Sequence, residues 1–216
     1  MENEKTEAEN QSIVEFGKVV SEGIQTLMIS GQIEGHATLP PPAKATRFEH
    51  FVPQLVLAEG DPAVKGVLFL INTVGGDVEA GLAMAEMIAG MKKPTASLVL
   101  GGGHSIGIPL AVAAKESFIA PSATMTVHPV RVNGLVLGAP QSFEYLMRMQ
   151  DRISDFVIRH SKISAEKFQG WLQGRHDMAT DIGTIVGAEE AVAEGLIDAV
   201  GSFSEVKASL AKQIRA

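Results

Sequence analysis

Gly103-His104-Ser105-Ile106-Gly107 matches the pattern G-x-S-x-G. In that spelling a serine stands on a tight turn from a strand into a helix. Small neighbours let the turn close, and the hydroxyl points outward with the positive end of the helix behind it. The chemistry this offers is nucleophilic attack; the alternative is a plain glycine-rich turn packing a helix on a sheet. A serine hydroxyl is a weak nucleophile at neutral pH. It needs a base, the base needs an acceptor to fix its tautomer, and the developing oxyanion needs backbone donors.

His128 is the favoured base. It closes a short strand predicted over 125–127, at a sheet end where the Ser105 turn also lies, and Pro129 keeps its backbone extended. The competing reading is a histidine at a sheet edge with its ring bonded locally. His104 adjoins Ser105, but neighbouring side chains on such a turn diverge, so it reads as a turn or packing residue. His36, His50 and His160 lie in segments with no other chemistry and read as surface residues. For the acid, a polar turn that also holds His176 offers Asp177 and Asp181, either of which could be a solvated turn residue. Gly75 and Gly76 are the oxyanion-hole candidates, because residues without side chains at a strand end let N–H groups converge on one pocket. The N–H of Ile106, directly after the nucleophile, is a further donor.

Other chemistries find little support. The histidines show no H-x-x-x-H or equivalent ligand pair, so neither a metal nor another cofactor is expected. Gly101-Gly102-Gly103 lacks the Gly-Lys-Ser/Thr ending of a phosphate loop, and neither glycine turn spells a dinucleotide fingerprint. The chain has no cysteine, which removes disulfides and thiolate chemistry and fits a reducing cytoplasm. Net charge is −7, of which −4 sits in residues 1–23; with no basic stripe, a nucleic-acid partner is not expected.

The elements that must position these residues follow from pattern. Residues 1–23 read as an acidic, mobile tail and 24–216 as one domain, since 216 residues with 45% hydrophobic content bury a substantial core. Strands are predicted at Ile24–Ser30, Val67–Ile71 and Ala96–Leu100, with turns at Gly31-Gln32, at 72–76 and at 101–103. Asp77 is placed to cap a helix whose inward face carries Val78, Leu82, Ala85 and Ile88 or Ala89. Two successive strand, glycine turn, helix units with fully apolar strands argue for a mostly parallel sheet covered by helices, with the site at the carboxyl ends of the strands. Further on come short strands at 117–120, 125–127 and 184–186. A long amphipathic helix over 141–160, a helix capped by Ser164 and a terminal helix from Ser204 complete the pattern. The stretch 94–114 is long enough to span a bilayer. Its prolines, glycines, His104 and Ser105 split it into strand, turn and helix, so no integral membrane segment is expected, and MENEKTEAEN shows no export signal.

Four motifs together, INTVGGDVEAG (71–81), GGGHSIGIPLA (101–111), TMTVHPV (124–130) and AEEAVAEGLID (188–198), resemble the Clp protease proteolytic subunit family in order and approximate spacing. The likeness is greatest to its translocation-enhancing, TepA-like or germination-protease branch and covers about residues 24–205. It implies the Clp peptidase/crotonase-type α/β fold of repeated β-β-α units and a Ser-His-Asp peptidase acting on peptides or unfolded protein segments. It also implies a homo-oligomeric ring, a heptamer or double ring, and a role linked to translocation or germination. Ser105 matches the nucleophile and His128 the base, while Gly75, Gly76 and Ile106 match the oxyanion donors. Asp181 fits the TepA-like Thr-Asp-Ile-Gly-Thr run and is favoured, whereas Asp177 fits the Clp spacing if two residues are inserted after it. His104 and Ile106 depart from the small residue and methionine usual on either side of the Clp serine, and an unfoldase partner does not follow from the resemblance. Two other readings stay open: an α/β-hydrolase esterase, whose residue order would recruit Asp155 and His176, and a catalytically silent ring or secretion scaffold.

Overall fold

The computed structural model describes residues 11–14, 17–131, 138–174 and 183–216. Its centre is a sheet built on three long strands, β2 (Ile24–Glu34), β4 (Gly66–Gly76) and β5 (Thr95–Gly103), with β1 (Lys18–Ser21) beside β2 and β6 (Glu116–Ile119) and then β9 (Ala199–Val200) beside β5. From β2 to β9 every neighbouring pair is parallel, and β1 runs antiparallel along the β2 edge. Lys18–Ser21, assigned to the tail from sequence, are therefore paired in the sheet. The short β3 (Ala45–Arg47) pairs with the end of β2.

Period-two burial sends alternate residues to two cores. Val67, Phe69, Ile71 and Val99 face the larger one, closed by α1 (Phe48–Gly60), α2 (Val78–Ala89), α3 (Gly107–Val112), α4 (Ala139–Arg159) and α5 (Ala165–Gln173). Leu68, Ala96, Leu98 and Phe118 face the smaller one, closed by Val206 and Leu210 of α7 (Phe203–Arg215). The expected mixed α/β architecture with a mostly parallel sheet is thus the one observed.

Three strands outrun their predicted ends. β2 continues through Gly31 and Gln32 to Glu34, taking up a register shift at that point, where a turn was expected. β4 continues to Gly76 and β5 through Gly101–Gly103. The glycines at these ends permit close backbone approach within the sheet, which the rule that glycine marks a turn does not distinguish. Helix starts agree better, because caps are local: Asp77 accepts from the Ala80 N–H, Ser164 from that of Lys167, and Ser202 forms a capping box with Glu205.

Beyond Leu98 and Val99 the sheet divides. The first half of β5 pairs with β6, whereas at its end Gly102 is in register with Thr124 of β7 (Thr124–Val127), which pairs antiparallel with β8 (Thr184–Gly187). A further short helix, α6 (Ala188–Ala193), follows β8 directly. This division brings the end of β7 to the end of β5.

Because Leu210 is fully buried and anchors α7 over the smaller core, Leu210→Ala should cost about 2–5 kcal/mol. Urea unfolding followed by far-ultraviolet circular dichroism checks this, and a midpoint equal to the parent's would show that α7 does not hold that face.

Candidate active site

Ser105 sits between β5 and α3 with φ of +56°, a left-handed conformation that is uncommon and costly for a residue with a side chain. Four backbone bonds hold the turn. The His104 N–H donates to Thr73 O at 3.1 Å and the Ser105 N–H to Thr126 O at 2.9 Å, while the Gly107 and Ile108 N–H groups donate back to His104 O and Ser105 O at 2.9 and 3.0 Å. The turn is thereby pinned to β4 on one side and to β7 on the other.

β7 ends at Val127, and His128 follows it. Ser105 and His128 line one cavity of about 160 Å³ together with Gly76, Ile106, Pro129 and Arg131, while Ile108, Val127, Ile153, Phe168 and Leu172 supply an apolar wall. His128 Nδ1 lies 2.7 Å from the Pro129 carbonyl oxygen. A carbonyl only accepts, so Nδ1 carries the hydrogen and, in the neutral ring, Nε2 is the acceptor nitrogen. That is the tautomer a general base needs.

Gly75 and Gly76 have φ of +94° and +151° and close contacts that exclude a side chain. A Cβ on Gly75 would stand 2.6 Å from Ser105 Cβ, and one on Gly76 2.3 Å from Ile33 O. The Gly75 N–H is engaged by Thr73 Oγ1 at 3.1 Å. Gly76 is in register with Ile33, whose carbonyl accepts from the Asp77 N–H at 3.0 Å. In a parallel ladder this turns the Gly76 N–H away from β2, toward the side of β4 that carries Ser105.

Asp177, Asp181 and His176 lie outside the described residues. The chain that follows them is firmly placed. The Gly183 N–H donates to Gly174 O at 2.7 Å, Thr184 Oγ1 donates to Trp171 O at 2.8 Å, and a Cβ on Gly183 would stand 2.8 Å from His128 Cβ. Asp155 is exposed in a separate charged groove with Glu79, Glu86, Arg152 and Arg159, away from the residues that line the Ser105 cavity.

His36 and His50 are exposed, as expected. His160 differs: it is half-buried and stacked on Phe156 at 4.2 Å between ring centres, a contact made by the i,i+4 geometry of α4. His104 is also half-buried, with Nδ1 2.9 Å from Thr126 Oγ1. The sequence offered no signal for this bond, since it spans 22 positions and depends on the β5–β7 junction.

With this geometry in view, comparison with known proteins decides the family. The Clp protease family model matches residues 21–203. The chain belongs to the Clp protease family. It is similar to translocation-enhancing protein TepA of Halalkalibacterium halodurans, with 56% identity over 191 residues, 88% of this chain and 75% of that protein. The mixed α/β architecture is consistent with the Clp protease fold, and membership supports a Clp-type peptidase or a related role. Among the described residues no helix is long and apolar enough to cross a membrane; the 94–114 stretch divides into β5, the Ser105 turn and α3.

Burial holds the His104 imidazole below its ordinary value of 6.5, and positive charge on His128 pushes it the same way. The folded state therefore binds fewer protons than the unfolded chain just below that value. Stability present above about pH 6.5 is lost as pH falls toward the folded-state pKa. His160 acts in the same direction, through burial and then Arg159, against a smaller opposing effect of Glu86. The urea midpoint should drop between about pH 7.5 and about pH 5.5, and the drop should shrink in His104→Gln. An equal drop in parent and variant would show that His104 titrates alike in both states.

Proposed function

We propose that this protein is a serine peptidase of Clp type that hydrolyses peptides or unfolded protein segments through an acyl-enzyme. The observation that carries the reading is the strained Ser105 turn opening on the same cavity as a histidine whose Nδ1–H is fixed by the Pro129 carbonyl, which makes Nε2 the basic nitrogen of the neutral ring. In this mechanism His128 Nε2 takes the Ser105 hydroxyl proton as Oγ attacks the scissile carbonyl. The resulting imidazolium then protonates the departing amine. Water enters, is deprotonated by the same nitrogen, and releases the acyl group as a carboxylate.

The oxyanion is assigned to the N–H groups of Gly76 and Ile106, both lining the cavity. Gly75, whose own N–H is engaged by Thr73, serves the hole by leaving room for Ser105. Asp181 is assigned as the acid behind His128, with Asp177 as the competing candidate. Support comes from Gly183, two positions after Asp181, which abuts His128. The apolar wall of Ile108, Val127, Ile153, Phe168 and Leu172 suits an apolar substrate side chain beside the scissile bond.

Family membership also suggests assembly into rings. The first half of α4 exposes Phe143, Tyr145 and Met147, apolar surface of the kind that assembly covers. A cytoplasmic ring of identical subunits is proposed on this basis. A link to protein translocation is proposed from the name of the TepA relative.

Ser105→Ala should abolish covalent labelling by a fluorophosphonate probe without changing the assembly state, and His128→Ala should slow labelling by about 10³-fold or more. Intact-mass measurement with peptide mapping reads both; labelling that survives Ser105→Ala removes the nucleophile, and full activity in His128→Ala removes the base.

The acid is decided by a parallel comparison. Asp181→Asn should lower peptide hydrolysis at least about 10²-fold while Asp177→Asn stays within a few-fold of the parent, and the reverse pattern would transfer the role to Asp177.

A further inference from the structure

The strand that delivers the base also holds the nucleophile, and one of its two holds is a side chain that the mechanism above does not use. The Thr126 carbonyl accepts the Ser105 N–H at 2.9 Å, while Thr126 Oγ1 meets His104 Nδ1 at 2.9 Å. Thr126 is two positions before His128 on β7. One residue of the base-bearing strand thus grips two consecutive residues of the nucleophile turn.

We propose that the His104–Thr126 pair is a clasp that sets the separation of Ser105 and His128, making His104 a positioning residue for the reaction. The proposal rests on the peptidase reading given above.

A single backbone bond between the turn and β7 acts as a pivot, leaving the turn free to rotate about it. A second bond to the adjacent residue removes that freedom, and a displacement of about 1 Å between reacting groups is enough to cost a large factor in rate. In the ladder, Gly102 of β5 is in register with Thr124 of β7, two positions from each member of the clasp. The ring reaches Thr126 by lying across Gly102, where a Cβ would stand 2.4 Å from His104 Nε2 and 2.7 Å from its Cδ2. Gly102, the middle position of the glycine run, must therefore stay bare for the clasp to close. The His104 backbone is fixed as well, through Thr73 O on β4 and the Gly107 N–H on α3, so the ring bond transmits to β7 a position already set by two other elements. Burial favours the neutral ring, which places no positive charge against the imidazolium that forms on His128.

The test compares His104→Ala, His104→Asn, Thr126→Val, Thr126→Ser and the double variant His104→Ala/Thr126→Val. Three quantities are read on the full chain: the rate constant for fluorophosphonate labelling of Ser105, deuterium exchange of the amides at 105–108, and the unfolding midpoint. His104→Ala and Thr126→Val should each slow labelling about tenfold and raise exchange in the turn, with the midpoint shifted by only a few degrees. The double variant should lie within about twofold of either single change, because both remove one bond. Asparagine at 104 and serine at 126 keep a polar partner and should restore most of the rate. Labelling at the parent rate in His104→Ala, or effects that multiply in the double variant, would overturn the clasp. If both single variants fail to fold while the asparagine and serine variants behave as the parent, the pair belongs to global stability and the positioning role is rejected. Should the parent itself not be labelled at Ser105, the peptidase reading fails separately. The exchange measurement then decides the clasp alone, with unchanged protection in Thr126→Val counting against it.

Discussion

The hydrogen bond from the Ser105 N–H to Thr126 O joins the end of one strand to the end of another, and the rest of the site depends on it. Ser105 is held at φ +56°, a conformation that costs about 1–3 kcal/mol and persists only where the surroundings leave no alternative. Thr73 on β4, Thr126 on β7 and the first turn of α3 together supply that restraint. Strain of this kind presents the hydroxyl clear of its own backbone, and it survives because each restraining group belongs to an element fixed elsewhere by burial.

That fixing comes from the branching of the sheet. β5 pairs with β6 along its first half, then gives its end to β7, so the carboxyl ends of β4, β5 and β7 converge around one cavity. The two faces of the sheet are closed by different helices, α1 to α6 over the larger core and α7 over the smaller one. Apolar burial of the strands' middle thus holds the polar chemistry at their ends, where backbone N–H groups run out of sheet partners.

α4 lies beside α2 through two ion pairs spaced seven residues apart on both helices: Glu79 with Arg152, at 2.5 and 2.9 Å in a two-pronged contact, and Glu86 with Arg159 at 3.4 Å. All four side chains are roughly half exposed, so each pair contributes little to stability, about 0–1 kcal/mol. Their consequence is geometric. They hold α4 in register with the helix that follows Gly76, and Ile153, next to Arg152, lines the cavity wall. Deeper in α4, Phe156 and Val157 bury into the larger core and supply the anchoring free energy.

The sequence by itself determined whatever depends on near neighbours. Asp77 and Ser164 announced their helices because a cap acts over three residues, whereas the terminal helix expected from Ser204 is capped by Ser202. The apolar runs announced a parallel sheet, and the spelling around Ser105 announced a strained turn. Glycine misled where it stood inside strands: Gly31, Gly75, Gly76 and 101–103 looked like turns, yet they are places where backbone or ring must come within a side chain's radius, a requirement that a linear reading does not contain. Only the tertiary structure decided that Thr73 occupies the Gly75 amide, that Gly76 turns its amide toward the serine side, and that His104 is tied to Thr126. Each depends on which strands lie side by side and in what register. Register is set by the packing of whole faces, so pairs separated by tens of residues acquire a meaning that no local pattern carries.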